Sequence, residues 1–189
     1  ESRGLGDVYK RQEEENLDVR TITMGISLLD CAHSDCSTFR QKIYDKITRK
    51  AENLVKTGEE IQKKFGVPIV NKRISVTPVS ICSAACDHAD FPAIAQTLDK
   101  AAAQVGVNFI GGFSALVQKG MTCTDEALIE SIPEALGNTQ NVCGSVNVGS
   151  SRSGINMDAV RILGERILDL AYVTRHEAVS YTHLTLPTT

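Results

Sequence analysis

Residues 19–28 read VRTITMGISL and residues 37–65 read STFRQKIYDKITRKAENLVKTGEEIQKKF. The first stretch is β-branched and apolar with no polar face, the pattern of a strand buried on both sides. The second carries Phe39, Ile43, Ile47, Ala51, Leu54, Ile61 and Phe65 at steps of three, four or seven. That stripe predicts one long helix, with Gly66 at the stop position. A strand followed by an amphipathic helix is the first half of a strand–crossover–strand unit, and the remaining chain continues the pattern.

Residues 69–79 are extended and broken at Pro78, and Asp90 caps a helix with Pro92 in its first turn and Ile94, Leu98, Ala101 and Val105 on one face. Residues 107–113 form a strand ending in Gly111-Gly112, and 124–136 a helix interrupted near Pro133. Residues 142–148 are a strand running into GSSRSG at 149–154. Asn156 then caps a helix with Val160, Leu163, Ile167 and Leu170 on one face. Alternation of this kind predicts an α/β fold of parallel strands with crossover helices, either a doubly wound sheet or part of an α/β barrel.

The two ends read differently. Residues 7–12 (DVYKRQ) back-translate to GAT GTG TAT AAG AGA CAG, the end carried by transposon-based library adaptors. Residues 179–184 (VSYTHL) back-translate to its reverse complement. Residues 1–12 and 179–189 are therefore expected to be translated adaptor, leaving 13–178 as an internal piece of a longer gene. Without the ends, which hold Arg3, Lys10, Arg11, Glu1 and Asp7, the 20 basic and 23 acidic residues become 17 and 21, a net charge of −4 instead of −3. This mild acidity gives no electrostatic reason to seek nucleic acid or an anionic membrane, and no run approaches the roughly 18 apolar residues of a membrane span. The 6 cysteines are too sparse for a disulfide scaffold and read as reduced thiols of an intracellular protein.

In parallel α/β proteins the loops after the strands hold the ligand. Residues 147–156 (NVGSSRSGIN) leave a strand and open a helix. Helix-start amides, hydroxyls and a guanidinium make either an anion cradle of Asn147, Ser150, Ser151, Arg152, Ser153, Gly154 and Asn156 or only a polar loop with an Asn cap. The glycine spacing nearly matches a phosphate-binding P-loop, but Ile155-Asn156 stands where Lys-Ser/Thr is needed, which excludes an NTPase. Gly111, Gly112 and Ser114 with Lys119 offer a second candidate loop, or only a sharp bend. Asn71, Lys72 and Arg73 place two cations and an amide in an extended stretch, as ligand contacts or as a solvated edge. Asp30, Cys31, His33, Asp35 and Cys36 match no zinc spacing and read as a helix-entry loop. Cys82 and Cys86 begin an iron–sulfur motif that fails at Ala89. His88 and His176 have no visible partner in the sequence. No pattern calls for a metal or a cofactor.

Four segments together resemble a known family: RTITMGISLLDC (20–31), PIVNKR (68–73) with SVTP (75–78), FIGGFSALVQKG (109–120), and SVNVG (145–149) with SGIN (153–156). They are similar to an uncharacterised prokaryotic family, domain of unknown function 711, often labelled "PFL family protein". The resemblance spans nearly all of 13–178, in order. It implies a barrel like that of pyruvate formate-lyase and other glycyl-radical enzymes, a cytoplasmic homodimer, and a full-length protein more than twice as long. A radical glycine would lie near the missing C-terminus, and Cys143 would be its thiyl carrier. The residues themselves favour binding or transformation of a small anionic metabolite at the strand ends. A non-catalytic sensor or structural dimer subunit is the alternative, and a glycyl-radical enzyme a remote one. Whether the protein is an enzyme is left open by the sequence.

Overall fold

A computed structural model of the chain describes residues 21–66, 68–86 and 89–175. The core is a sheet of four parallel strands: β1 (Thr21–Ile26), β2 (Asn71–Val76), β3 (Phe109–Leu116) and β4 (Val142–Asn147). They lie side by side in chain order, with Thr21 alongside Asn71, Arg73 alongside Phe109 and Gly111 alongside Cys143. A doubly wound sheet reverses direction at a switch point. These four strands contain no reversal.

Six helices are described: α1 (Cys36–Ala51), α2 (Leu54–Phe65), α3 (Val79–Ser83), α4 (Phe91–Val105), α5 (Cys123–Gly137) and α6 (Met157–Val173). Among the described residues no helix is long and apolar enough to cross a membrane. Helix α1 packs on α4, α4 on α5 and α5 on α6, in one row that follows the strand order. The core lies between this row and the sheet, where Ile26, Ile74, Val76, Ile110 and Phe113 meet Phe39, Ile43, Phe91, Leu98 and Leu128. The Phe91 and Phe113 rings meet edge to face, with centroids 6.4 Å apart.

The opposite face of the sheet carries Thr21, Thr23, Gly25, Arg73, Ser75, Cys143 and Ser145, all exposed. Strand alternation puts these small and polar residues on one side and the apolar ones on the other. The polar face makes these strands unlike the continuous apolar runs of parallel sheets packed on both sides.

Side chains cap helix starts at Asp90 and Asn156, as the sequence predicts, and also at Asp35. Asp35 accepts from the Thr38 amide at 2.8 Å, Asp90 from the Ala93 amide at 3.0 Å and Asn156 from the Ala159 amide at 3.2 Å. Gly66 and Gly106 close α2 and α4 in the left-handed region, with φ of 66° and 77°.

Five expectations are corrected. Strand β1 is not buried on both sides: Thr21, Thr23 and Gly25 alternate with Ile22, Met24 and Ile26 and form an exposed face. The long helix over 37–65 is two helices, turning at Glu52 and Asn53. The turn lets α2 lie across the starts of β1 and β2, where a Cβ on buried Gly58 would stand 3.1 Å from Ile22 Cδ1. The extended stretch ends at Val76, and Pro78 starts the short helix α3. Strand β3 runs through the glycine pair rather than stopping there, with a bulge between Gly111 and Phe113. Helix α5 continues through Pro133, because Leu128, Ile129, Ile132 and Ala135 are buried on either side of it. Burying such side chains contributes about 1.5–3 kcal/mol each for the larger ones, which together exceeds the roughly 3 kcal/mol cost of an interior proline.

Candidate functional site

Strands β3 and β4 deliver their loops to one place. Past Leu116, the Val117 amide donates to the Asn147 carbonyl at 2.9 Å, holding the two strand exits together. Beyond Asn147 the chain makes a small antiparallel hairpin, β5 (Gly149–Ser150) on β6 (Gly154–Ile155). Gly154 supplies the turn's left-handed residue, with φ 72°. Asn156 then does two jobs. Its Oδ1 caps α6, and its Nδ2 donates 2.9 Å to the Val117 carbonyl. This ties the start of α6 to the exit of β3, so the two loops face each other across a cleft of about 760 Å³.

Lys119 comes to the cleft from the β3 loop, and Arg152 and Ser153 come from the hairpin. Asp158, in the first turn of α6, and Gln118 complete the polar wall. Among the described residues, Lys119, Arg152 and Asp158 form no ion pair with one another or with any other group. The Gln118 Oε1 atom is buried without a hydrogen-bond partner. The first amides of any α-helix lack acceptors within the helix, so α6 also presents its positive end here. Two cations and one carboxylate therefore share one concave surface at the carboxyl end of the sheet.

The other residues singled out in the sequence are placed as follows. Asn147 Oδ1 accepts from the Gly149 amide at 3.3 Å, shaping the entry to the hairpin. The Ser150 and Ser153 hydroxyls lie 2.5 Å apart, and the Ser153 amide donates to Ser150 Oγ at 3.1 Å. Those two hydroxyls thus serve the turn, and Ser151 is exposed beside them. Gly112 belongs to the β3 bulge: its φ is 130°, and a Cβ there would stand 2.2 Å from Val76 Cγ2. The Ser114 hydroxyl is directed at the Gly112 carbonyl, 3.3 Å away. Gly111 lies on the open face, where a Cβ would meet nothing within 4 Å.

Asn71, Lys72 and Arg73 do not converge. Strand alternation sends Lys72 toward the helices, its stem beside Gly58 and its Nζ 3.4 Å from the Ile69 carbonyl. Arg73 takes the open face, its guanidinium 5.3 Å from the Phe109 ring centroid. The three lie near the start of β2, away from the carboxyl-end cleft. Sequence reasoning passed over Gln118 and Asp158. An acid two residues after a helix cap was a readable signal for Asp158; Gln118 gave none, because its role depends on burial.

The residues from Asp30 to Cys36 form the entry to α1. Asp30 pairs with Lys46, which holds its carboxyl below the usual range. The Asp35 amide donates to His33 Nδ1 at 3.0 Å while the Asp35 side chain caps the helix. Burial pushes the Cys31 thiol up, and the Cys82 thiol up to about 11. Such thiols stay protonated and unreactive near neutral pH. Cys143 sits on the open face, where partial burial raises its thiol and the Arg73 charge opposes the rise. His88 and His176 lie outside the described residues.

The family model described as "Uncharacterised ACR (DUF711)" matches residues 11–186. The chain belongs to this family. The match confirms the resemblance carried by the four sequence segments, and it extends beyond 13–178 at both ends. A UPF0210 protein of Clostridium perfringens is 61% identical over 162 residues, covering 86% of this chain and 36% of that protein. One from Methanospirillum hungatei is 62% identical over 167 residues, covering 87% and 37%. One from Agathobacter rectalis is 61% identical over 181 residues, covering 93% and 40%. The family therefore includes bacterial and archaeal members, and the chain spans well under half the length of these curated relatives.

Proposed function

We propose that the full-length protein binds a small anionic metabolite in the cleft between the β3 and β4 loops, with Lys119 and Arg152 as its cationic contacts. The observation that carries this reading is their convergence from two separate loops, beside the start of α6, in one concave site. A guanidinium and an ammonium aimed at a helix N-terminus favour an oxyanion by charge, by hydrogen bonding and by the helix dipole together. Metabolite screening of the full-length protein by thermal shift tests the reading. Arg152→Ala is expected to weaken any ligand found by about tenfold or more, as the loss of a charge-assisted bond does, while leaving the fold intact. Unchanged affinity removes the hairpin from the site.

The cleft belongs, in this reading, to a barrel similar to that of pyruvate formate-lyase. Strands in chain order, a single row of helices and an open polar sheet face support it, since a barrel encloses one face and covers the other with helices. Further strands of the longer protein would continue from the β4 edge. A cytoplasmic homodimer remains the expectation from the family resemblance. Binding without turnover would make the protein a sensor or structural subunit. The glycyl-radical alternative draws on Cys143 facing the open side of the sheet. Oxygen-induced cleavage of the activated full-length protein at a glycine tests it. Translated adaptor at both ends is tested by reading the source DNA past the Ala178 codon without transposon adaptors.

A further inference from the structure

Resting on the cleft proposed above, we propose that its ligand carries an amino group as well as an acid: a zwitterion of the amino-acid type, with its carboxylate toward Lys119 and Arg152 and its ammonium toward Asp158. A simple anion answers only half of the wall. It would satisfy the two cations and add repulsion against the Asp158 carboxylate, which shares the cleft without a cationic partner. Two carboxylates held close together with no proton or cation between them repel each other.

The Asp158 carboxylate calls for a donor bearing positive charge, and an ammonium supplies three N–H groups from one point. The other polar groups of the cleft are already engaged. Asn156 uses its oxygen on the Ala159 amide and its nitrogen on the Val117 carbonyl, and Ser153 is tied to Ser150. The charged side chains on the wall are thus the donors Lys119 and Arg152 and the acceptor Asp158. Opposed charges in one cleft, unpaired with each other, match a ligand whose own charges are opposed and a few atoms apart. Asp158 also gains from the helix dipole, but that role does not need the two cations opposite.

The experiment uses the full-length protein and two matched probe sets at millimolar concentration. One set is the proteinogenic amino acids; the other is the carboxylates that lack the amine, such as acetate, propionate and glutarate. At least one amino acid is expected to bind about tenfold or more tightly than its deaminated counterpart, the size of one charge-assisted hydrogen bond. Asp158→Asn, which keeps the side-chain shape, is expected to erase that preference, weakening the amino acid and, with the repulsion gone, tightening its deaminated counterpart. Asp158→Glu should restore part of it. Arg152→Ala is expected to weaken both probe sets. Equal or tighter binding of the deaminated acids overturns the inference, as does a preference that survives Asp158→Asn, or no amino acid binding at all. In the first two of these cases the anion cleft itself stands if Arg152→Ala still weakens the acids. A preference for amino acids that ignores Arg152→Ala instead removes the parent reading.

Discussion

Gly111 and Gly112 are adjacent in sequence and should respond oppositely to the same change. At Gly112 the backbone has φ 130°, and a Cβ would lie 2.2 Å from Val76 Cγ2 and 2.8 Å from the Val76 carbonyl oxygen. The side-chain contact is with a β-branched residue that is itself buried, and the oxygen belongs to the neighbouring strand's backbone, so neither can move aside cheaply. Holding a non-glycine residue at such a φ costs about 1–3 kcal/mol, and overpacking a core about 1–3 kcal/mol more. Gly112→Ala should therefore cost about 2–6 kcal/mol, a large part of the roughly 5–15 kcal/mol that keeps a domain folded. At Gly111 a Cβ would meet nothing within 4 Å. Removing the extra freedom of a strand glycine should leave Gly111→Ala within about 1 kcal/mol of the parent, on the stable side where no further chain covers that face. Urea midpoints of the two variants in the full-length protein, followed by circular dichroism, give the comparison. A Gly112→Ala variant as stable as Gly111→Ala would refute the bulge and its role in setting the end of β3.

Other perturbations test other parts of the account. Asn156→Ala removes a helix cap and the tie to the Val117 carbonyl, and should cost about 1–3 kcal/mol in a thermal melt. Asn156→Asp keeps the cap acceptor but loses the donor to Val117 and should cost less; no loss at all in Asn156→Asp would deny the Val117 bond a role. The Cys82 thiol, with its pKa pushed up to about 11 by burial, should resist alkylation at pH 8 in the native state and react on denaturation. Because that pKa is above the unfolded value near 9, the group's contribution to stability is intact below pH 9 and falls as pH rises toward 11. Melting temperatures from pH 8 to 11 should drop less in Cys82→Ala, measured against its own pH 8 value, and equal drops would contradict the assignment. Residues 13–178 expressed alone should aggregate or remain molten. Strand β4 is an edge, and α6 exposes Met157, Leu168, Tyr172 and Val173. A sharp cooperative melt of that piece would show that it closes on its own.

Much of the fold was legible because local chemistry and tertiary structure agree. Asp90 and Asn156 cap where their side chains predict, and Gly66 stops its helix. The misreadings come from residues whose effect depends on what packs beside them. Pro133 looks like a break until the burial of Ile129 and Ile132 is weighed against it. Glu52 and Asn53 are ordinary helix residues, and only the docking of Gly58 on the sheet marks the turn there. The pair Gly111-Gly112 signals a bend, but its place inside a strand comes from the approach of Val76. In the site, Lys119, Arg152 and Asn156 were readable from loop composition and helix-start chemistry. Their meeting with Asp158 and Gln118 required the tie between Asn156 and the exit of β3. The reach of strand alternation was also missed for Lys72 and Arg73, which adjoin in sequence and face opposite sides of the sheet.

The most direct test of the central claim is a crystal structure of the full-length protein with its best-binding ligand from the metabolite screen. The account predicts the ligand's acid group against Lys119 and Arg152, above the first turn of α6. Density for that ligand elsewhere, such as on the open sheet face beside Arg73, would contradict it.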